Sequence, residues 1–231
     1  MKKILITGFV LFLGEAALPQ PGNDLLQAVR KKLEKVNDYQ AIGKLKTNVV
    51  FIKAPVASVK IFYKKPGKMK IVNETGISFI PKGSVNINPD KFFTDAGSYE
   101  VIDAGKEEAT GNRILKLLPA DEQSDIVLST LYIDEKTELV RKVKNTTRDN
   151  GTYELEMTYG QHAAYALPDK IVFSFNTKEY KLPKGVTFDY DDGSKNKSDN
   201  AMKNKKGKVE ITYSSYSINK GIDDKIFNRE K

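Results

Sequence analysis

The chain has 231 residues, 39% of them hydrophobic, with 38 Lys+Arg against 30 Asp+Glu and a net charge of +8. This suits one globular domain and points to an anionic partner, a lipid surface, a nucleic acid or an acidic protein, unless the lysines are only background composition. With no cysteine and a single histidine, the sequence excludes disulfides, thiolate catalysis, cysteine-ligated metal centres and multi-histidine metal sites.

The opening MKKILITGF resembles the first strand of a dinucleotide-binding fold and, with Gly14-Glu15, the start of pyroglutamyl peptidases. Both readings fail. A phosphate loop needs clustered glycines, whereas FVLFL separates Gly8 from Gly14; the peptidase needs a cysteine nucleophile. A secretory signal fits better: Lys2-Lys3, an apolar core over 4–14 and the small-residue exit Gly-Glu-Ala-Ala. The core is too short to span a bilayer comfortably. Residues 1–17 are therefore read as a signal peptide cut after Ala16 or Ala17, and 18–231 as one domain. A buried first strand of a cytosolic protein is the competing reading. The protein is expected to be periplasmic, soluble and, lacking cysteine, without a lipid anchor.

The segment NDLLQAVRKKLEKVNDY, 23–39, predicts an amphipathic helix, with Leu25, Leu26, Val29, Leu33 and Val36 on one face and Asn23 or Asp24 as cap. Strands are predicted at 39–52, 56–63, 68–74 and 77–81, and a short helix at 89–96. More strands follow at 98–104, 113–118, 126–133, 137–147, 151–160, 169–175, 186–190 and 207–219. Asp149-Asn150-Gly151 marks a hairpin. The fold class is mainly β (α+β): a strongly curved antiparallel sheet of about eleven strands, a half or open barrel. The amphipathic helix and the short second one cover its concave face. Alternation places Val59, Ile61 and Tyr63 on one face, as it does Tyr153, Leu155, Met157 and Tyr159, and Ile171, Phe173 and Phe175.

Residues 191–208, DDGSKNKSDNAMKNKKGK, hold six lysines and almost nothing apolar, and predict a mobile basic loop. His162, in the run GQHAAYALP, reads as a solvated loop histidine more readily than as a lone general base. The pairs Asp191-Asp192 and Asp223-Asp224 sit in polar turns, where adjacent acids face solvent. Arginines are few and lysines scattered, which argues against nucleic-acid binding. No catalytic residue, metal ligand or cofactor is assigned; the chain does not read as an enzyme.

In chain order stand DLLQAVRKKLEKVNDYQAIGKL, a strand ending in YKKPGKMKI, several hairpins, and YSSYSINKGIDDKIF. This order resembles the LolA-like periplasmic lipoprotein carriers and the wider group of half-barrel lipid binders. That family has an N-terminal amphipathic helix, a V-x-x-Y/F-x-A-type start to the first strand, a basic-basic-Pro turn before a cavity-facing apolar residue, and a final Phe. The resemblance implies a half-barrel whose cavity takes acyl chains. It carries two positions across. The second basic residue, usually an arginine that holds the lid by hydrogen bonds to backbone, falls on Lys65, and the cavity aromatic falls on Met69. A lysine lacks the planar fork, so the latch is expected to be weaker or absent. Methionine keeps a flexible apolar lining.

Counting alternately, Ile61, Tyr63, Lys65, Met69 and Ile71 share a face, taken as the concave one with Lys65 near the mouth. Lys64, Lys68 and Lys70 then point outward or line the rim, where they meet anionic headgroups. Phe51, Phe79, Phe92, Phe93, Phe173 and Phe175 are further lining candidates. The expected function is a non-enzymatic carrier that shields lipid or lipoprotein acyl chains between membranes. Its expected partners are a membrane-protein donor or acceptor and, transiently, a membrane surface. The alternative is a lipid-sensing interaction module that binds a membrane protein through the basic loop.

Overall fold

A computed structural model of the chain describes residues 21–48, 55–75, 99–149, 151–176 and 206–228. The first element is helix α1, Pro21–Glu34. It starts before the expected cap because Pro21 has the fixed φ and missing N–H that suit a first turn. Asp24 therefore lies in that first turn, where its charge complements the helix dipole, instead of capping it. The helix also ends earlier than the periodicity indicates. Val36 keeps the apolar rhythm and is 3% exposed, but Asp38 already belongs to a strand.

Ten strands follow: β1 Asp38–Asn48, β2 Ala57–Lys64, β3 Lys68–Thr75, β4 Tyr99–Lys106, β5 Arg113–Pro119, β6 Ile126–Asp134, β7 Leu139–Thr147, β8 Thr152–Thr158, β9 Lys170–Asn176 and β10 Lys206–Ile218. They coincide with ten of the predicted strands to within a few residues. The predicted strands at 77–81 and 186–190 and the helix at 89–96 lie outside the described residues, as does the signal segment. The predicted basic loop extends to residue 208, but β10 takes over at Lys206, so its last three residues are strand.

One antiparallel sheet holds all ten, in the order β3-β2-β1-β10-β9-β8-β7-β6-β5-β4. β4 to β10 run as a meander, and β1 then pairs with β10, so the chain enters the sheet in its middle. Among the described residues β3 and β4 stand at the two ends and do not pair with each other, so the sheet is an open half-barrel. Gly151, at φ 68°, makes the left-handed turn that joins β7 to β8, as the Asp-Asn-Gly signal predicts.

The inward faces form one core. Ala41, Leu45, Val59, Ile61, Leu115, Leu131, Val143, Leu155, Phe173 and Ile211 are all buried in it, together with Val29 and Leu33 of α1 and Val36 just after it. Gly207 matters here: it opposes Phe175 on β9, and a Cβ on it would sit 2.5 Å from Phe175 Cζ. Any side chain at 207 displaces that ring. The helix crosses one end of the half-barrel. Gly22 lies against Leu115 and Asp103, Lys32 donates to the Thr137 carbonyl and pairs with Glu138 at 3.4 Å, and Glu34 reaches Lys65. Among the described residues, no helix is long and apolar enough to cross a membrane.

Candidate functional site

The register gives the inner face of the β1–β3 arm residue by residue. Tyr39 opposes Tyr63, which opposes Met69; Ala41 opposes Ile61, which opposes Ile71. Cross-strand partners share a face, so the four apolar candidates predicted together do lie together. Ile61 and Tyr63 are buried, whereas Met69 and Ile71, on the edge strand, are half-buried against the core. Phe173 and Phe175 lie deeper on the same face, in ring contact with each other, and Phe173 also meets Tyr153. Phe51, Phe79, Phe92 and Phe93 lie outside the described residues.

Around Tyr63 the face is rich in tyrosine. Tyr39 stacks on Tyr63 at 5.1 Å between centroids and meets Tyr216 edge-on at 5.5 Å; Tyr213 lies 5.1 Å from Tyr216. Tyr216 donates to the Pro168 carbonyl at 2.7 Å and Tyr159 to the Val140 carbonyl at 2.9 Å. Burial pushes the hydroxyls of Tyr159, Tyr213 and Tyr216 well above the ordinary phenol range. Tyr63 differs: it is 3% exposed, and its hydroxyl has no hydrogen-bond partner among the described residues. Leaving a buried donor unmet costs about 1–3 kcal/mol. His162 belongs to this cluster rather than to open solvent. It is half-buried, with its ring 4.9 Å from that of Tyr216, because the 3-10 turn Ala163–Tyr165 folds the loop back onto the sheet end.

The lysines of the β2–β3 turn divide between the two faces, and both sets hold chain ends. Lys65 Nζ donates to the Glu34 carbonyl at 2.9 Å, at the C-terminus of α1, and Lys65 N donates to Asn37 O at 2.8 Å. Lys65 thus makes one hydrogen bond to the helix end, from a point charge placed where unpaired helix carbonyls collect, without the planar fork of an arginine. Burial lowers the Lys65 pKa, and the Glu34 charge opposes that shift. On the outer face, Lys64 and Lys68 oppose each other directly, a repulsive arrangement. Asp224 sits between them, 2.9 Å from Lys64 and 3.2 Å from Lys68, and both hydrogen bonds hold its carboxyl below the usual carboxylate range. Lys64 also donates to Ile222 O and Lys70 to Asn228 O. These lysines do point outward as expected, but they bind the C-terminal strap of residues 220–228 instead of standing free at a rim. Asp223 caps the 3-10 turn Asp224–Phe227 by accepting from Lys225 N.

Sequence reasoning missed Asn219. Its Oδ1 accepts from Asn37 N at 2.7 Å, and its Nδ2 donates to Lys35 O at 2.7 Å, while Asp38 Oδ1 accepts from Lys220 N and Gly221 N. This knot fixes the exit of α1 from the end of β10, far away in sequence. The signal available was an asparagine before Lys-Gly at a strand end, a residue that tolerates φ 54°. Also missed was a polar row across β6, β7 and β8 of the concave face. Ser129 Oγ donates to Asn145 Oδ1 at 2.6 Å and Asn145 Nδ2 donates to Tyr153 Oη at 2.9 Å, with Asn145 fully buried. Burial raises the Tyr153 pKa and the Asn145 bond counteracts it.

A wide antiparallel sheet, open between its two edge strands, with an apolar inner face and one helix laid across an end, is the LolA-like open half-barrel. Solved structures agree. A DUF1329 family protein from Desulfovibrio piger matches with a TM-score of 0.58 at 13% identity, over 90% of this chain and 95% of that one. A LolA superfamily protein from Nitrosomonas europaea matches at 0.55 and 11%, over 88% and 97%. A putative outer membrane lipoprotein-sorting protein domain from Vibrio parahaemolyticus matches at 0.50 and 12%, over 90% and 96%. At these identities what is shared is the fold. No protein-family model and no curated protein matches the sequence.

Proposed function

We propose that this protein is a non-enzymatic periplasmic carrier that binds the acyl chains of a lipid or lipoprotein on the concave face of its half-barrel and moves them between membranes. One observation carries the reading: the inner face is apolar at both edges of the sheet. Met69 and Ile71 are half-buried on the β3 edge, and Tyr99 and Val101 are half-buried on the β4 edge. Such edges are neither closed core nor solvated surface, and an acyl chain lying along them gains about 0.8 kcal/mol for each methylene taken from water. Ile61, Tyr63, Phe173 and Phe175 form the floor of the proposed site. Tyr63 offers the polar contact, a hydrogen bond to an ester carbonyl of the ligand. The lid is α1, held through Lys65 and the Asn219 knot.

The test is to make the chain from residue 18, extract it with organic solvent and analyse the extract by lipid mass spectrometry, then titrate the delipidated protein with an apolar fluorescent probe. Met69→Glu leaves the buried floor intact and is expected to reduce probe uptake at least tenfold. A clean extract together with no saturable uptake overturns the carrier reading.

A further inference from the structure

The outer face of the sheet is electrically divided, and the division follows strand order. Of the outward side chains described on β10, β1, β2 and β3, seven are lysines: 44, 46, 60, 64, 68, 70 and 208. Only Asp38, Glu74 and Glu210 oppose them, an excess of four positive charges. The strap across this half adds Lys220 and Lys225 against Asp223 and Asp224 and leaves the excess unchanged. The other half is balanced. There Lys116, Lys142, Lys144 and Lys170 stand with Glu100, Glu107, Glu154 and Glu156; Lys142 pairs with Glu107 at 2.8 Å, and Lys170 bonds Glu210 at the border at 2.8 Å. An excess of four positive charges is thus gathered on one side of one sheet.

We propose that this basic half, the outer face of β10-β1-β2-β3, docks on an anionic lipid surface. This deepens the carrier reading by naming the face that meets the membrane. Charge complementarity supplies the first argument. Among the described residues no carboxylate lies within ion-pair distance of Lys44, Lys46, Lys70 or Lys208, and the like charges are spread across four neighbouring strands, as a diffuse layer of headgroups requires. The second argument is chemical. The half carries lysine and no arginine; point charges on flexible stems suit a fluid headgroup layer, whereas the planar fork suits fixed phosphates and base edges. The third is what lies between the lysines. Lys60 sits between Ile42 and Val72, each 37% exposed, and the next row places Phe62 between Gln40 and Lys70. Apolar side chains ringed by lysine stems fit shallow contact at the headgroup boundary.

The experiment is co-sedimentation of the chain from residue 18 with phosphatidylcholine vesicles, with and without phosphatidylglycerol, over a range of salt. The wild type is expected to bind only the anionic vesicles and to release them as salt rises. The triple variant Lys44→Gln/Lys46→Gln/Lys208→Gln, which breaks no ion pair among the described residues, is expected to lose roughly a hundredfold in partitioning at low salt. The control Lys116→Gln/Lys144→Gln, on the balanced half, keeps binding within a few-fold, and Ile42→Ser/Val72→Ser weakens what binding survives at higher salt. Equal binding to neutral vesicles, or an equal loss in the control, overturns the proposal. So does retention on immobilised polyglutamate with no vesicle binding, which assigns the face to an acidic protein. Probe uptake without vesicles separates the two readings. A chain that takes up probe but ignores anionic vesicles overturns only the docking face; one that binds them without uptake overturns only the carrier.

Discussion

The two arms of the sheet carry polar atoms into the concave face in opposite ways. In the β6–β8 arm, Ser129, Asn145 and Tyr153 lie in one cross-strand row and satisfy one another, so the polar group is part of a finished core. In the β1–β3 arm, Tyr63 is buried to a similar degree with its hydroxyl unmet, beside an edge strand whose apolar residues are half-exposed. A satisfied buried network specifies and stiffens; an unsatisfied buried donor raises the energy of the empty state and lowers it again when a ligand supplies the acceptor. On the proposed carrier reading, the first arm is scaffold and the second is where binding energy is held ready.

The largest effect that tests this contrast is Asn145→Ala, which strands both Ser129 and Tyr153. It is expected to cost about 2–4 kcal/mol in urea unfolding without changing ligand selectivity. A cost below 1 kcal/mol would remove the contrast. Tyr63→Phe is the mirror experiment. With no bond to lose, the empty protein should gain up to about 1 kcal/mol, while affinity for an ester-bearing acyl ligand falls about tenfold relative to a plain alkane. If the empty protein is instead destabilised, the hydroxyl has a partner and the assignment fails.

Smaller effects concern the ends that the arms hold. Lys65→Met removes the cation at the end of α1 and is expected to cost about 0.5–1 kcal/mol and to speed probe uptake, read by stopped flow; unchanged uptake kinetics mean that α1 is not the lid. In the scaffold arm, the hydrogen bond from Arg141, with others from Thr137 and Lys136, lowers the Asp134 pKa to about 2. A depressed folded pKa stabilises above the ordinary value of 3.8 and ceases to do so as pH falls toward 2. About 1 kcal/mol is therefore expected to be lost between pH 4 and 2, and Arg141→Leu should reduce that acid dependence, leaving the smaller part due to Thr137 and Lys136. The smallest effect is Asp224→Asn, expected to loosen only the strap and so raise hydrogen exchange at 222–228 while the melting temperature stays put; protected amides there would show that Asp224 does not hold it.

Much of the fold was legible from residue pattern. The period-two alternation of Val59, Ile61 and Tyr63, or of Ile171, Phe173 and Phe175, gave strands and faces because a half-barrel buries one side of every strand. The i, i+3, i+4 spacing of α1 gave its buried stripe. Its ends were less legible, since propensity does not register that Asp38 is needed to bind Lys220 and Gly221. The candidate face was legible for Ile61, Tyr63, Met69 and Ile71 because a tight turn fixes the register of its own hairpin. Asn145 was not, because its partners lie on different strands, and an asparagine in a strand looks like a solvated residue until cross-strand pairing puts Ser129 and Tyr153 beside it.

By itself, then, the amino-acid order determined which segments are strands, which side of each is apolar, and that the charge excess is carried by lysine. Only the tertiary structure decided where those charges act. Whether a lysine is a latch, a staple or free surface depends on what stands opposite it. That is set by β1 pairing with β10 and by the strap returning over β2 and β3, contacts between residues more than a hundred positions apart. Local sequence fixes local geometry, but a point charge has no periodicity, and its partner is chosen by topology.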